Sequence, residues 1–166
     1  MIDIATRNVV DLWRQGKIVC ITTNGFVKKD GCGVLGRGNA LAMAQALPVL
    51  PSLLGQFIKR YGHRVGFIFA RSVISFPVKP VSGSFQDALP HLAKRFKETD
   101  IIPGFWCKAD LDIIETSMKQ LNDLVEKFKI NEVWLPIPGV NNGQLKFEDV
   151  LPILERSLPQ IKICKL

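Results

Sequence analysis

Apolar runs of strand length alternate along this chain with longer segments of helical character. The run KIVCIT over 17–22 is rich in β-branched residues, and similar runs occupy 65–70, 72–76, 132–136 and 160–164. Short apolar runs bounded by Gly, Pro or Asn are typical of buried strands. The pattern therefore predicts a sheet whose strands are distributed over the whole chain.

Four segments between and after these runs are predicted to be helices. ALAMAQAL over 40–47 is strongly helix-forming, and its helix is expected to begin near position 37 or 38; further helices are predicted over 52–61, 110–128 and 148–158. In the third, apolar residues recur every three or four positions and make one stripe: Leu111, Ile114, Met118, Leu121, Val125 and Phe128. Alternating strands and helices predict an α/β fold with helices on both faces of a largely parallel or mixed sheet.

The segment 80–105 departs from this regular alternation. It holds a candidate helix over 85–97, with Pro80 and Gly83 on one side and Pro103 and Gly104 on the other. We predict an excursion from the main fold here.

Length and composition favour one globular domain, with 166 residues, of which 47% are apolar and 22% charged. The four cysteines lie far apart in the sequence and lack the spacing of a zinc site: Cys20, Cys32, Cys107 and Cys164. We therefore expect free thiols. We also expect neither a metal nor a cofactor. No signal peptide is evident, and no apolar run approaches the roughly 18 residues of a membrane span. We expect a cytoplasmic monomer without a membrane partner.

The net charge of +7 is concentrated in one part of the chain. No acidic residue occurs between Asp30 and Asp87, a window that holds six cations: Arg37, Lys59, Arg60, Arg64, Arg71 and Lys79. A glycine-rich stretch, DGCGVLGRGNA over 30–40, lies in this window. Its local field therefore favours an anion.

The glycine-rich stretch approximates two nucleotide-binding motifs, but it lacks features that each motif requires. A Rossmann GxGxxG motif needs a strand directly before it and an acid about 20 residues later, and both are missing. A Walker A loop needs Lys and Ser or Thr where Arg37 and Gly38 stand. What remains is a cradle of backbone N–H groups beside a helix N-terminus, which suits phosphate. A tight turn with close helix packing explains the glycines equally well.

A second loop, GVNNGQ over 139–144, also follows a predicted strand and precedes a predicted helix. Ligands of open α/β sheets bind beyond the carboxyl ends of the strands. Two such loops on one sheet edge would hold the two ends of a diphosphate.

The order of motifs along the chain resembles that of macrodomains, the ADP-ribose-binding α/β/α modules. The motifs are TTNG at 22–25, GVLGRGNA at 33–40, SFPVK at 75–79, WCKADL at 106–111, LPIPGVNNGQL at 135–145 and FEDV at 147–150. They are most similar to the branch containing the terminal ADP-ribose glycohydrolase and the antitoxin that removes ADP-ribose from DNA. The resemblance covers nearly the whole chain. It implies one three-layer α/β/α domain, residues 1–166, with a central mixed, largely parallel sheet and an insertion at 80–105.

The resemblance also implies a set of ligand-binding residues. Asn8 stands where the family holds adenine with an aspartate, and its amide oxygen can still accept that hydrogen bond. The remaining implied residues follow the first long strand and form the two phosphate loops: Thr23, Asn24, Gly36, Arg37, Gly38, Asn39, Ala40, Gly139, Val140, Asn141, Asn142, Gly143 and Gln144.

Lys79 matches the lysine that this branch uses for catalysis on the bound ribose, and its alternative role is a charge contact to phosphate. The glycohydrolase also uses an aspartate in the second loop, where this chain has Gly143. The antitoxin-like relatives have glycine there too. Asp110 and Glu148 are interpreted as helix-start residues. The insertion lies next to Lys79 in the sequence and would serve as a lid, as a reader of the modified target or as a structural embellishment.

The sequence as a whole predicts a protein that binds ADP-ribose or a terminal ADP-ribosyl group on a protein or nucleic acid. Metal-independent hydrolysis of an ADP-ribosyl linkage through Lys79 is the expected activity if the protein is an enzyme. A non-catalytic reader of ADP-ribosylated targets and an NAD-binding oxidoreductase are the alternatives.

Overall fold

A central sheet carries the site, and its elements alternate along the chain. The computed structural model describes residues 2–166. Its strands are β1 (Ile4–Thr6), β2 (Ile18–Thr23), β3 (Gly66–Phe69), β4 (Val73–Pro77), β5 (Ser82–Gly83), β6 (Ile102–Pro103), β7 (Val133–Pro136) and β8 (Ile161–Lys165). Its α-helices are α1 (Val9–Arg14), α2 (Gly38–Ala46), α3 (Leu50–Tyr61), α4 (Leu111–Lys127) and α5 (Phe147–Leu154).

Six strands form the main sheet in the order β1-β8-β7-β2-β4-β3. All neighbours are parallel except β3 and β4. Because the parallel strands share one direction, their carboxyl ends meet at one edge, with Thr23 beside Pro77 and Pro136 beside Cys164. The loops that follow β2, β4, β7 and β8 therefore emerge together.

Helices cover both faces of the sheet and bury two apolar clusters against it. On one face the stripe of α4 and the apolar residues of α5 pack against strand residues such as Ile74 and Leu135. On the other face α1, α2 and α3 cover residues such as Val19 and Ile21. These are the three α/β/α layers and the mixed, largely parallel sheet expected from the sequence.

The helices and strands agree with the sequence pattern to within a few residues, except for β1 and α1, the end of α5 and the segment 85–97. β1 and α1 were not predicted, because three and six residues are too few to show a period. The helix predicted over 148–158 runs over Phe147–Leu154, and the hydroxyl of Ser157 donates to the carbonyl of Leu154 beyond its end.

The helix predicted over 85–97 was wrong. This segment contains two single-turn 3₁₀ helices, Phe85–Asp87 and Ala93–Arg95, and the short strands β5 and β6, which lie on either side of it, pair in antiparallel fashion. Pro90 lies between the two turns and cannot donate a helical hydrogen bond. A small apolar cluster of its own, built on Ile102 and Cys107, holds the segment together.

Within residues 2–166 no single helix is long and apolar enough to cross a membrane; α2 and α3 meet that test only when combined across a 115° bend.

Candidate functional site

The carboxyl edge of the sheet opens into a cavity of about 740 Å³. Its floor consists of residues at or just beyond the ends of four parallel strands, among them Thr23 at the end of β2, Lys79 after β4, Ile137 after β7 and Lys165 at the end of β8. Its walls are the two glycine-rich loops, over 36–40 and 139–143. Residues about a hundred positions apart in the sequence thus line the same cavity.

The first loop presents the N-terminus of α2 to the cavity. Arg37 is the N-cap residue and its side chain makes no capping hydrogen bond. Within the described chain, no backbone N–H of residues 36–40 donates to another protein atom. Asn39 fixes the loop to the sheet, since its side chain accepts from the Thr22 N–H at 3.0 Å and donates to the Thr22 hydroxyl at 3.0 Å. The start of α2 therefore leaves unpaired donors and a positive dipole end in residues that line the cavity.

The second loop presents a similar run of donors from the opposite wall. The N–H groups of 140–143 have no acceptor within residues 2–166, whereas the next two N–H groups close the turn onto Asn141 and Gly139. Gly143 has no room for a side chain, because a Cβ there would lie 2.5 Å from the Gly139 carbonyl oxygen and 2.6 Å from the Ala109 Cβ. The position therefore presents backbone only.

Lys79 lies at the base of the cavity and is only 9% exposed. Its backbone N–H donates to the Thr23 carbonyl at 3.2 Å, and its Nζ is 3.5 Å from the Phe105 carbonyl oxygen. Burial, and next the nearby charge of Arg37, lower the pKa of the Lys79 ammonium. A larger fraction of this amine is therefore neutral, with a lone pair, than for an ordinary lysine.

Cys107 is the other nucleophilic group near Lys79. Its Sγ points at the carbonyls of Ile102 and Pro103, at 3.7 and 3.5 Å. Burial, followed by the charge of Asp87, raises the pKa of the Cys107 thiol to about 11. The thiol is therefore protonated at neutral pH, and Cys107 is not among the residues that line the cavity.

The side chains that line the cavity carry only positive charge. The cations are Arg37, Lys79 and Lys165, and none of the lining residues within 2–166 is Asp or Glu. Their positive field adds to that of the unpaired N–H groups. The cavity is therefore built for an anion.

Aromatic side chains close the cavity on the side of the excursion. Phe105 and Trp106 line it, their ring centroids 5.1 Å apart, and Phe26 packs edge-on against Phe105 at 5.2 Å. Trp106 lies in one of the motifs that resemble those of macrodomains, but neither aromatic residue was predicted to belong to the site. The signal was weak because the segment has no period that would have placed it at the cavity.

The structure brings most of the expected site residues together at the cavity. Those that line it are Thr23, Asn24, Gly36, Arg37, Gly38, Asn39, Ala40, Lys79, Gly139, Val140, Asn141, Asn142 and Gly143. The Asn24 side chain is used in its own loop, where it donates to the Val34 carbonyl and accepts from the Phe26 N–H, both at 3.0 Å.

Asn8 and Gln144 are not among the lining residues. The Asn8 Oδ1 caps α1 by accepting from the N–H groups of Val10 and Asp11, at 2.8 and 3.3 Å. Gln144 has a positive φ of 62° and an exposed side chain at the end of the second loop. A role for either side chain in ligand binding stays a prediction.

In the part of the chain that the structure describes, no group of three or more His, Cys, Asp or Glu side chains is arranged to hold a metal ion. The four cysteines there form no disulfide.

Comparison with solved structures identifies the fold, whereas no protein-family model and no curated protein matches the sequence. The macrodomain of Mycobacterium tuberculosis DarG is 20% identical with a TM-score of 0.64, over 99% of this chain and 96% of that one. The macrodomain of Thermus aquaticus DarG is 17% identical with a TM-score of 0.67, over 99% and 97%. Thermosipho africanus DarTG in complex with ADP-ribose is 15% identical with a TM-score of 0.60, over 90% of this chain and 38% of that one. The chain has the macrodomain fold.

Proposed function

We propose that the cavity binds ADP-ribose or a terminal ADP-ribosyl group. The observation that carries the proposal is the pair of unpaired N–H runs, over 36–40 and 140–143, which face one cavity without an acidic side chain. A diphosphate between the loops would accept from both runs and lie at the N-terminus of α2. The complex of Thermosipho africanus DarTG with ADP-ribose, a protein of the same fold, supports this ligand.

The cavity extends along the edge of the sheet from β1, which carries Ile4, to β4, which Lys79 follows. Ile4 offers apolar contact to a planar base. Lys79 and the aromatic pair of Phe105 and Trp106 line another region, where the distal ribose would lie. The orientation follows from the chemistry, because a reactive amine is useful only at the sugar carbon that carries the linkage.

Gly36 provides the sharpest test of binding. A Cβ at Gly36 would meet only the Val34 side chain, at 3.9 Å, and its φ is not positive, so the protein itself tolerates a larger residue there. We expect Gly36→Val to keep the thermal unfolding midpoint but to fill the cradle and weaken ADP-ribose binding by about 100-fold or more in calorimetric titration. Gly36→Ala is the graded control.

Two outcomes would contradict the binding proposal. One is no heat and no thermal shift for the wild-type protein at millimolar ADP-ribose. The other is equal affinity in Gly36→Val and the wild type, which would place the ligand elsewhere. An assay for hydride transfer, followed by the absorbance of NADH, separates an oxidoreductase from an ADP-ribose site, because NAD itself carries an ADP-ribosyl group and its binding alone does not.

We further propose that Lys79 cleaves an ADP-ribosyl linkage. In this step the neutral Nζ attacks the anomeric carbon, the bond to the target breaks, and the target leaves with the electron pair and takes up a proton. Water then displaces the lysine, which releases ADP-ribose and restores the amine. The lowered pKa of Lys79 and its place at the base of the cavity support this role.

An ADP-ribosyl nitrophenyl ether tests turnover without knowledge of the natural target, because the released nitrophenolate is coloured. We expect Lys79→Ala to lose about 100-fold or more of the rate. Lys108→Ala is the matched control, since Lys108, just before α4, is exposed and does not line the cavity. Equal rates in wild type and Lys79→Ala would reject the role of Lys79.

A reader without catalysis is the second candidate. It is favoured by the acid-free lining of the cavity, because the described residues place no carboxylate there to serve as a general base. Wild-type protein that binds ADP-ribose in calorimetry but releases no nitrophenolate would identify the reader.

A further inference from the structure

We propose that His63 is a positioning residue for Lys79: its imidazole holds the Lys79 carbonyl and so sets the direction in which the lysine side chain enters the cavity. The inference rests on the proposed role of Lys79. His63 Nε2 lies 2.7 Å from the Lys79 carbonyl oxygen, across 16 residues of sequence. His63 itself does not line the cavity, so it acts through the backbone of Lys79 and not on a ligand.

The Lys79 backbone is fixed from both sides. On one side its N–H, together with that of Val78, donates to the Thr23 carbonyl at the end of β2. On the other side the imidazole is the only donor within residues 2–166 that reaches the Lys79 carbonyl. Pro80 follows and has no N–H to anchor the next peptide. Loss of the imidazole would free the peptide plane between residues 79 and 80.

The imidazole is wedged in place by its neighbours. A Cβ at Gly25 would lie 2.8 Å from the His63 ring and 2.6 Å from the Val81 side chain, so the ring packs directly on the Gly25 backbone. The Gly25 N–H in turn donates to the Pro80 carbonyl at 3.2 Å. The ring therefore joins the turn after α3, the loop after β2 and the Lys79 segment.

The hydrogen bond defines the protonation state of the ring. Nε2 must carry the proton in order to donate to a carbonyl, and Nδ1 is buried without a partner among the described residues. A second proton would place an unpaired N–H in that buried position, which is unfavourable. A neutral ring supplies a donor to Lys79 without adding a positive charge beside it.

Lys79 depends on this backbone anchor because its side chain has little else to direct it. Its Nζ has one weak contact, to the Phe105 carbonyl at 3.5 Å, and no carboxylate of the described chain pairs with it. A small error in the direction of a reacting group lowers the rate of a step that needs close alignment. Binding through the two loops is independent of that direction.

The test compares two variants of similar size. His63→Gln keeps a donor at the place of Nε2, whereas His63→Phe keeps a ring without a donor. We expect His63→Phe to lower kcat on the ADP-ribosyl nitrophenyl ether by about tenfold or more, with KM and the ADP-ribose Kd within about twofold of wild type. His63→Gln is expected to restore most of kcat.

Three results would overturn the proposal. They are wild-type kcat in His63→Phe, a parallel loss of kcat and ADP-ribose affinity, and a His63→Gln variant no better than His63→Phe. The second would show that His63 only stabilises the fold.

A measurement that does not require turnover tests the role of His63 independently of the proposed function. The ¹³Cε resonance of Lys79, assigned by its loss in Lys79→Ala, reports the environment of the side chain in the free protein. We expect it to be shifted in His63→Phe and unchanged in His63→Gln, whether or not the wild type hydrolyses the ether. An identical resonance in all three proteins would reject the role of His63 even if Lys79 is catalytic.

Discussion

At the scale of single residues, Gly143 determines which chemistry the second loop can support. The Gly139 carbonyl and the Ala109 Cβ occupy the place that any side chain would take. The glycine is therefore required by packing, and a carboxylate at this position would need the loop to move. Among residues 2–166, Lys79 is the only one whose side chain both lines the cavity and has a lowered pKa.

We expect Gly143→Asp to destabilise the protein by about 2–3 kcal/mol, since overpacking a tight site costs 1–3 kcal/mol and the charge adds to it. Urea unfolding measures the loss. Gly36→Asp is the matched control, because its site is open and the same side chain fits there. If both variants were as stable as wild type, the second loop would be more adaptable than its contacts indicate.

At the scale of elements, the start of α4 joins the Lys79 segment to the second loop. Asp110 caps the helix by accepting from the N–H groups of Asp112 and Ile113, at 2.8 and 3.3 Å. Just before it, the Ala109 N–H donates to the Gly143 carbonyl and the Asp110 N–H to the Val78 carbonyl. The helix cap and the site thus share one short piece of backbone, and Asp110 is the helix-start residue that the sequence predicts.

We expect Asp110→Ala to lower the free energy of unfolding by about 1 kcal/mol, the usual value of an N-cap. Asp112→Ala, in the exposed first turn of the same helix, is expected to cost only a few tenths of a kcal/mol through the helix dipole. Urea denaturation of the two variants measures the difference. Equal losses would show that charge and not the cap stabilises this end of α4.

At the scale of the whole molecule, the charge of the cavity follows from which strand ends the topology brings together. Lys79 follows β4, Lys165 lies on β8, and Arg37 precedes α2. No acid within residues 2–166 lines this cavity, whereas Glu132, at the opposite end of β7, pairs with Lys17 at 2.8 Å. The positive field is therefore concentrated at the carboxyl edge of the sheet.

We expect ADP-ribose binding to weaken as salt concentration rises, because part of its free energy is attraction between the diphosphate and these cations. Lys165→Ala is expected to weaken binding several-fold and to reduce the salt dependence. Lys162→Ala removes the same charge from an exposed position of the same strand, outside the cavity, and is expected to leave the affinity unchanged. Calorimetric titration at about 50 and about 500 mM salt compares the ADP-ribose affinities of the wild type and the two variants.

The features that the sequence by itself determined are local ones. The stripe of α4, the apolar strands and the helix start after the first glycine loop are visible because they depend on residues within a few positions of one another. Short elements such as β1 and α1 were not predicted, and a helix was wrongly predicted within the excursion, because tertiary packing and not a local period holds these segments.

Only the tertiary structure decided what these local features make together. The parallel order of the strands brings residues 36–40 and 140–143 to one cavity, although nothing local relates them. Burial at the end of β4 gives Lys79 its lowered pKa, and the turn after α3 places His63 on its carbonyl. Asn8, chosen from the motif pattern, caps a helix with its oxygen. The physical reason is the same in each case. Charge, burial and hydrogen-bond partners depend on neighbours in space, and these neighbours cannot be identified from a local pattern in one sequence.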